Sequence, residues 1–471
     1  MTRLRFRPSA GSGAWWGWAG ALFILYALFA LARHHNLGTS GFDLGIFTQA
    51  VHGYANFGAL RSDLKGWGFN LYGDHFHPIL VLLVPFYWLR PGAQTLLVAQ
   101  AALLAVATVP LARLAARRLG RAGGHAVAAA YGLSTGVQGA LAFDFHEVAF
   151  AAPLLAYSLT ALAEGRYRAA TWWALPLLAV KEELALTVAV IGLVLVVRRQ
   201  RRLGLALFGA GLLCFAVVVG ALIPAFNPND AYPYFSVASG EGDLSDVRGL
   251  AQRLAAAPKL MFLPSEKTTT LLLLGALTCG LAVGSPLALV ALPNICVRFL
   301  SDSPLYWGTG LQYNLTLMPI LFAAALDAQP KWARSTRPLV RGLGRHTAAA
   351  LLVAAAPLAP TAHLQNFLLH PVTAFTTTPH ARAAHALMRR IPDGAVVEAT
   401  NNLAPHLAHR TRVFTWPLTD HPPQWAVIDL DMPWPVSPDA HHARADDLIE
   451  RGFQLVDAQD NVALLHHPGA P

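Results

Sequence analysis

The sequence predicts a polytopic α-helical membrane protein with a small α/β domain at its C-terminal end. Hydrophobic residues make up 55% of the 471 residues and charged residues only 13%, with a mean hydropathy of +0.43. Soluble globular proteins carry about 25% charged residues. Apolar runs alternate with Arg-rich segments over residues 1–362, and from residue 378 onward the composition is that of a soluble domain. The expected domains are therefore 1–362 and 378–471.

The spans follow from apolar length and from the positions of basic residues. A spanning helix needs about 20 apolar residues, and cytoplasmic loops collect Lys and Arg. Arg3, Arg5 and Arg7 place the N-terminus in the cytoplasm. The apolar run that follows is too long for a signal-peptide core, so we expect a retained first helix. The predicted spans number about eleven: 15–32, 94–112, 125–142, 149–163, two short helices within 172–197, then 203–224, 268–284, 286–300, 313–328 and 346–361.

This topology places residues 34–77 and the C-terminal domain outside the cell membrane. The segment 77–89 is too short to cross and is expected in the outer interface. In the C-terminal domain, "GAVVEAT" (394–400) and "WAVIDLD" (425–431) are typical of strands. "DAHHARADDLIERG" (439–452) is typical of a helix, and "FQLVDAQDNVALLHH" (453–467) of a hairpin.

Charge and cysteine content exclude other classes of protein. The formal net charge is +9, but the basic runs lie between hydrophobic segments, where they set orientation. Without a free basic domain, nucleic acid is not an expected partner. Cys214, Cys279 and Cys296 lie far apart inside apolar runs, which indicates neither a disulfide framework nor a thiolate metal site.

Polar motifs concentrate on the predicted outer side. "FDLGIFTQAVHGYANFG" (42–58) carries Asp43 and Gln49. An interfacial amphipathic helix explains its aromatic residues. It does not explain Asp43, which begins the helix, where an acid also favours the helix dipole.

Two further motifs carry histidine beside acid. In "GDHFHP" (73–78), His75 and His77 point the same way on an extended segment and lie beside Asp74, so the three are candidate ligands of a divalent metal ion or a phosphate. An H-x-H pair by itself is a weak metal signal, because structural sites usually need four ligands. "FDFHE" (143–147) adds His146 and Glu147 on the next external turn.

Charged residues at membrane depth also need an explanation, because each costs about 2.5–3.5 kcal/mol on insertion scales. Lys181, Glu182 and Glu183 form either a self-neutralising cluster at a helix break or a site in which Lys181 holds an anionic group such as a phosphate and a neighbouring Glu orients it. Arg298, near the outer end of its span, is either a snorkelling interface residue or a phosphate ligand.

The order of these motifs, followed by "EATNNLAPHLAHRTRVFTWP" (398–417), resembles a family of predicted bacterial membrane proteins known only as a domain of unknown function. That family is distantly similar to the GT-C class of membrane glycosyltransferases, which use lipid-linked sugars. The resemblance implies a GT-C-like fold and gives Asp43 the place of the first-loop acid that acts as base or metal ligand. The sequence lacks the adjacent acid pair of several GT-C branches and has His75 and His77 instead.

The resemblance leads to the expectation of a glycosyltransferase that takes a sugar from a polyprenyl-phosphate carrier at the outer leaflet and passes it to a glycan, lipid or protein acceptor. Asp43 is the expected base. The expected substrate-binding residues are Lys181, Glu182, Arg298, His146, Glu147 and Gln49. The chain has no cytoplasmic Gly-rich nucleotide loop, which favours a lipid-linked donor.

Two other functions remain open from the sequence. One is a transporter or flippase for a lipid-linked or anionic solute, although the cytoplasmic half lacks the polar residues that it would need. The other is a non-catalytic assembly protein for envelope polysaccharide.

Overall fold

A computed structural model describes residues 12–234, 255–355, 363–417 and 421–469. Helices dominate it. The longer helices are Ser12–His35, Ala93–Gly132, Ala151–Ala163, Leu184–Val197, Arg201–Val217, Ser265–Leu277 and Leu317–Trp332. The shorter ones in the first 375 residues are Ile46–Ala55, Val84–Leu89, Thr135–Ala142, Tyr167–Ala174, Ile223–Phe226, Leu292–Leu300, Pro338–Arg345, Thr347–Ala355, His363–Leu369 and Pro371–Phe375.

Within those ranges, three helical segments are long and apolar enough to cross a membrane, namely Gly13–His35, Ala93–Ala142 and Arg201–Phe226. The count of about eleven spans therefore stays a prediction. Of the predicted last span, residues 356–361 lie outside the described residues.

The breaks between helices lie where the sequence places them. Gly120, with φ of +82°, interrupts the long helical stretch between the predicted spans 94–112 and 125–142. Glycine adopts such a φ without steric penalty. The segment 172–197 divides as predicted into two short helices, with Lys181, Glu182 and Glu183 in the break between them.

Small residues allow close helix packing. A Cβ on Gly192 would lie 2.5 Å from the backbone nitrogen of Phe208, and one on Gly211 would lie 2.5 Å from the carbonyl oxygen of Ala185. The helices Leu184–Val197 and Arg201–Val217 thus pack backbone to backbone. This is the usual arrangement where small residues line a helix interface in a membrane protein.

Residues from the predicted cytoplasmic loops meet at one place. Arg118 and Arg198 pair with Asp327 at 3.6 Å and 2.5 Å, and Ser285 donates to the same carboxylate. Arg117 pairs with Glu164. Five segments that the sequence assigns to the inner side are therefore joined by ion pairs and hydrogen bonds.

The C-terminal part contains a five-stranded sheet in the order β2-β1-β3-β5-β4. The strands are β1 (Val396–Ala399), β2 (Arg412–Phe414), β3 (Trp425–Asp429), β4 (Gln454–Gln459) and β5 (Val462–His466). Strand β1 is parallel to β2 and β3, while β3, β5 and β4 pair antiparallel. Helices Pro379–Met388, Ala404–Leu407 and Pro438–Glu450 accompany the sheet. The two predicted strands, the helix and the hairpin are confirmed, and the sequence analysis did not predict β2.

The sheet shares one hydrophobic core with residues 37–71, which belong to the predicted first external loop. Leu37, Ile46 and Leu60 of the loop lie in the same buried cluster as Val397 and Leu464 of the sheet. An ion pair reinforces this core: the guanidinium of Arg412 donates to both carboxylate oxygens of Asp63 at 2.9 and 3.1 Å. Residues 37–71 are thus bound as closely to the C-terminal sheet as to the helices.

Histidines gather where the helix Ser12–His35 meets the C-terminal sheet. The rings of His34 and His406 stack with centroids 4.0 Å apart, and His385 lies edge-on to His406 at 5.1 Å. Burial, together with His34, His385, His35 and His409, lowers the pKa of His406 well below its usual range. His406 is therefore neutral in the folded protein at neutral pH.

This junction should weaken in acid. In the unfolded chain His406 binds a proton near pH 6.5, whereas in the folded chain it does not. The free energy of unfolding is therefore undiminished above pH 6.5 and falls below it by up to about 1.4 kcal/mol per pH unit. Thermal unfolding of the detergent-purified protein between pH 7.5 and 5 would show this, with a flatter profile for His406→Phe. The exposed His442, changed to Phe, serves as control. An unchanged profile for His406→Phe would contradict the prediction.

Candidate active site

The outer motifs converge on one cavity of about 380 Å³. Its walls come from the first external loop, the turn 143–148, the helix break 181–183 and residues 294–316. Nine of the ten predicted site residues line it: Asp43, Asp74, His75, His77, His146, Glu147, Lys181, Glu182 and Arg298. Segments separated by more than 200 residues in sequence therefore build a single site.

Asp43 and His146 form a hydrogen-bonded pair at the cavity wall. The Asp43 Oδ2 atom lies 2.6 Å from His146 Nε2, and the Asp43 side chain is 33% exposed. The backbone of His146 is fixed by its N–H, which donates to Gln100 Oε1 at 3.0 Å. Burial lowers the pKa of His146, but the carboxylates of Asp43 and Glu147 outweigh this and raise it. Asp43 is thus an oriented carboxylate that remains open to solvent.

Lys181 and Glu147 form a buried ion pair. Their Nζ and Oε1 atoms are 3.0 Å apart, and their side chains are 15% and 2% exposed. Glu147 directly follows His146, so the pair lies beside the Asp43–His146 hydrogen bond. The structure therefore combines the two interpretations of Lys181: the lysine is neutralised within the protein and also faces the cavity.

The residues Asp74 and His75 join a network. His75 Nδ1 lies 2.7 Å from Glu182 Oε1, while Asp74 pairs with Lys65 at 3.0 Å and accepts from the Tyr234 hydroxyl at 2.9 Å. Burial and Lys181 lower the pKa of His75, but the neighbouring carboxylates raise it overall. Asp74 and His75, two of the three predicted metal ligands, are thus engaged by protein partners.

His77 completes the predicted metal set and behaves differently. It is 2% exposed, and neither ring nitrogen has a hydrogen-bond partner among the described residues. Burial lowers its pKa to about 4, so the ring is neutral. No group of three or more His, Cys, Asp or Glu side chains in the described ranges is arranged to hold a metal ion. The structure does not bring Asp74, His75 and His77 together as ligands.

Arg298 differs from the prediction that it binds phosphate. Its guanidinium donates to the carbonyl oxygens of Tyr306, Gly308 and Tyr313 at 2.8, 3.0 and 3.2 Å, and to Asn314 Oδ1 at 2.7 Å. These bonds use four of the five N–H groups of the side chain. Arg298 therefore holds the segment that brings two tyrosines to the cavity.

Gln49 is the one predicted site residue that does not line the cavity. Its Nε2 donates to the carbonyl oxygen of Val413 at 2.7 Å, and its Oε1 accepts from Ser62 Oγ at 2.7 Å and from the Leu64 N–H at 3.3 Å. It joins the first external loop to strand β2. Its amide is occupied by protein groups, so the role that the structure shows for Gln49 is to connect these two segments.

Three cavity residues were not predicted, namely Lys65, Tyr232 and Tyr234. Glu183, the third member of the predicted charged cluster, also lines the cavity. Tyr232 and Tyr234 stand two apart in an external loop, a spacing that places both side chains on one side of an extended segment. No pattern in the sequence marks Lys65 as a site residue, because an isolated lysine in a predicted external loop is ordinarily exposed to solvent.

The charges in the cavity nearly balance. Five carboxylates and three Lys or Arg side chains line it. The neighbouring carboxylates raise the pKa values of His75 and His146, which favours the charged form of both rings and reduces the excess of negative charge. Several of these charges face a partner within the protein, as Lys181 faces Glu147 and Lys65 faces Asp74.

Comparison with known proteins places the chain in a family. Residues 33–464 match the family described as "Predicted membrane protein (DUF2079)". The chain belongs to the DUF2079 family. The resemblance seen in its motifs is thereby confirmed, and no curated protein sequence matches this DUF2079 protein significantly.

Solved structures show the fold of this DUF2079 protein. It superimposes on the crystal structure of ArnT from Cupriavidus metallidurans bound to undecaprenyl phosphate, with a TM-score of 0.51, 13% identity and coverage of 96% of this chain and 98% of that chain. The apo structure of ArnT gives a TM-score of 0.51, 16% identity and coverage of 97% and 98%. The mostly helical fold of this chain, with its small C-terminal sheet, is therefore similar to the fold of ArnT.

Proposed function

We propose that this DUF2079 protein is an integral-membrane glycosyltransferase that transfers a sugar from a polyprenyl-phosphate carrier at the outer leaflet. The observation that carries the proposal is the hydrogen bond of 2.6 Å between Asp43 and His146, in a cavity that Lys181 also lines. A partly exposed carboxylate held by a histidine is suited to accept a proton, and an ammonium group nearby is suited to a phosphate. The fold shared with ArnT, which was crystallised with undecaprenyl phosphate, adds support.

In the proposed reaction the acceptor hydroxyl oxygen attacks the anomeric carbon of the donor sugar. The bond from that carbon to the phosphate oxygen breaks, and polyprenyl phosphate leaves. The acceptor proton goes to Asp43, whose orientation is fixed by His146. Lys181 stabilises the charge that develops on the leaving phosphate.

The cavity offers surfaces for both parts of a lipid-linked sugar. Tyr306 and Tyr313 line it with ring centroids 4.9 Å apart, and aromatic faces suit the apolar faces of a sugar ring. Phe215, Val297 and Leu300 give another part of the wall an apolar character. Two of these three belong to the helix Leu292–Leu300, and this wall is the proposed position of the first isoprene units.

The topology belongs to the same proposal. We place about eleven spans in residues 1–362, with the N-terminus in the cytoplasm and the domain 378–471 outside. The segments assigned to the outer side meet at the cavity, while Arg118, Arg198 and Asp327 meet in a separate cluster. The separation of the two groups supports this orientation.

Native mass spectrometry of the detergent-purified protein, combined with lipid extraction, tests the donor class. We expect a polyprenyl phosphate, free or sugar-linked, to co-purify in about equimolar amount. A cavity that buries most of a ligand's surface should keep that ligand bound during purification. The mass of the sugar-linked form would identify the sugar. Recovery of bulk phospholipid alone would contradict the proposal and favour a scaffold or a transporter.

A further inference from the structure

Asn401 connects the C-terminal domain to the backbone immediately before Asp43. It follows strand β1 at the edge of the sheet where the parallel strands end, and it is 1% exposed. It lies outside the cavity lining. A buried asparagine in such a turn needs partners for its amide, and those partners lie about 360 residues earlier in the chain.

Three hydrogen bonds join Asn401 to residues 40–42. The Phe42 N–H donates to Asn401 Oδ1 at 3.1 Å, and Asn401 Nδ2 donates to Ser40 Oγ at 2.9 Å. The Gly41 N–H donates to the main-chain oxygen of Asn401 at 2.6 Å. The contact is close: a Cβ on Gly41 would lie 3.0 Å from Asn401 Oδ1.

The same segment is held from the membrane side by Asp144. Its Oδ2 accepts the Ser40 N–H at 2.8 Å, and its Oδ1 pairs with Arg33 at 3.1 Å. Residues 40–42 are therefore fixed between the helical domain and the C-terminal domain. Asp43 follows directly and meets His146 across the cavity wall.

We propose that Asn401 is a positioning residue that holds Asp43 against His146, which makes the C-terminal domain part of the active site. The inference rests on the proposed function in taking Asp43 as the base. Asn401 contacts neither the cavity nor the Asp43 carboxylate, so it acts through the backbone. Its effect should therefore appear in kcat and in the accessibility of Asp43, and not in retention of the donor.

The neighbouring residue provides a matched control. Asn402 is also buried and of the same type, but its Nδ2 donates to Asp429 Oδ2 at 2.5 Å, inside the C-terminal domain. Asn402→Ala thus disturbs the same domain without touching residues 40–42. Asn401→Asp keeps an acceptor for the Phe42 N–H but has no donor for Ser40 Oγ, whose own hydroxyl donates to the Phe42 carbonyl oxygen, so it should rescue only in part.

The first readout needs no substrate. A water-soluble carbodiimide with glycine ethyl ester labels exposed carboxylates, and peptide mass spectrometry gives the rate at Asp43. Loss of the Asn401 side chain should free the loop and weaken the bond between Asp43 and His146. The labelling rate should then rise about tenfold, the equivalent of losing one charge-assisted hydrogen bond. Asn402→Ala should keep the rate of the natural protein, and Asn401→Asp should give a rate between those of the natural protein and Asn401→Ala.

The second readout is turnover, followed as release of polyprenyl phosphate from the lipid-linked sugar that co-purifies with the protein. Asn401→Ala should lower the rate of release about 100-fold while the amount of co-purified donor stays unchanged, because a displacement of about 1 Å can cost that much. Asn401→Asp should restore part of that rate.

The outcomes separate this inference from the proposed function. Equal effects of Asn401→Ala and Asn402→Ala, or an unchanged labelling rate in Asn401→Ala, would overturn the positioning role. If the natural protein released no polyprenyl phosphate, the proposed transferase function would be refuted. A raised labelling rate in Asn401→Ala would still support the positioning role in that case.

Discussion

Replacing Asp43 with Asn should lower turnover by about 100- to 10,000-fold, the usual contribution of a positioned general base. The amide is nearly isosteric with the carboxylate and can still accept a hydrogen bond from His146, so the loop should keep its conformation. What it loses is the ability to take the acceptor proton. Release of polyprenyl phosphate from co-purified donor measures the loss, and the free energy of unfolding should fall by no more than about 1.5–3 kcal/mol, the contribution of a hydrogen bond to a charged group.

Asp230→Asn is the matched control for this variant. Asp230 is an exposed acid in another external loop, with φ of +51°, a conformation that asparagine tolerates well. Its replacement should change neither turnover nor stability. If Asp43→Asn kept turnover within a few-fold of the natural protein, Asp43 would not be the base. If it also supported envelope assembly in cells, the scaffold alternative would gain.

Replacing Lys181 with Met should destabilise the protein by about 3–5 kcal/mol, because the Glu147 carboxylate would remain buried without its partner. The double variant Lys181→Met with Glu147→Gln removes both charges and should recover most of that stability. Retention of polyprenyl phosphate should be lost in both variants, since the ammonium group is absent from both. Thermal unfolding and native mass spectrometry, run on the same samples, measure the two properties separately.

The single variant Glu147→Gln completes the cycle and isolates the coupling between the two side chains. It leaves the ammonium group of Lys181 free to face the cavity, so donor retention should be equal to or greater than that of the natural protein. If the double variant retained the lipid as well as the natural protein does, the role of Lys181 would be structural only. The proposed stabilisation of the leaving phosphate would then have to come from another group.

The sequence was sufficient for the helices and the C-terminal strands because these depend on local patterns. Apolar length and basic flanks located the breaks at Gly120 and at Lys181, and alternation located strands β1 and β3. The short strand β2 was missed, since its three residues are too few to show a period. Polar residues in segments flanked by apolar runs marked most of the cavity, because burial of charge is rare enough to be informative.

By itself, the sequence determined the membrane class, the family and the residue types that could do chemistry, because composition and motif order are properties of the linear chain. Only the tertiary structure decided which partner each side chain meets. It placed Gln49 on strand β2, engaged Arg298 with carbonyl oxygens, and brought Asn401 to the backbone before Asp43. The physical reason is that a hydrogen bond depends on distances of about 3 Å between atoms. For residues hundreds of positions apart, such distances are set by the packing of the whole fold.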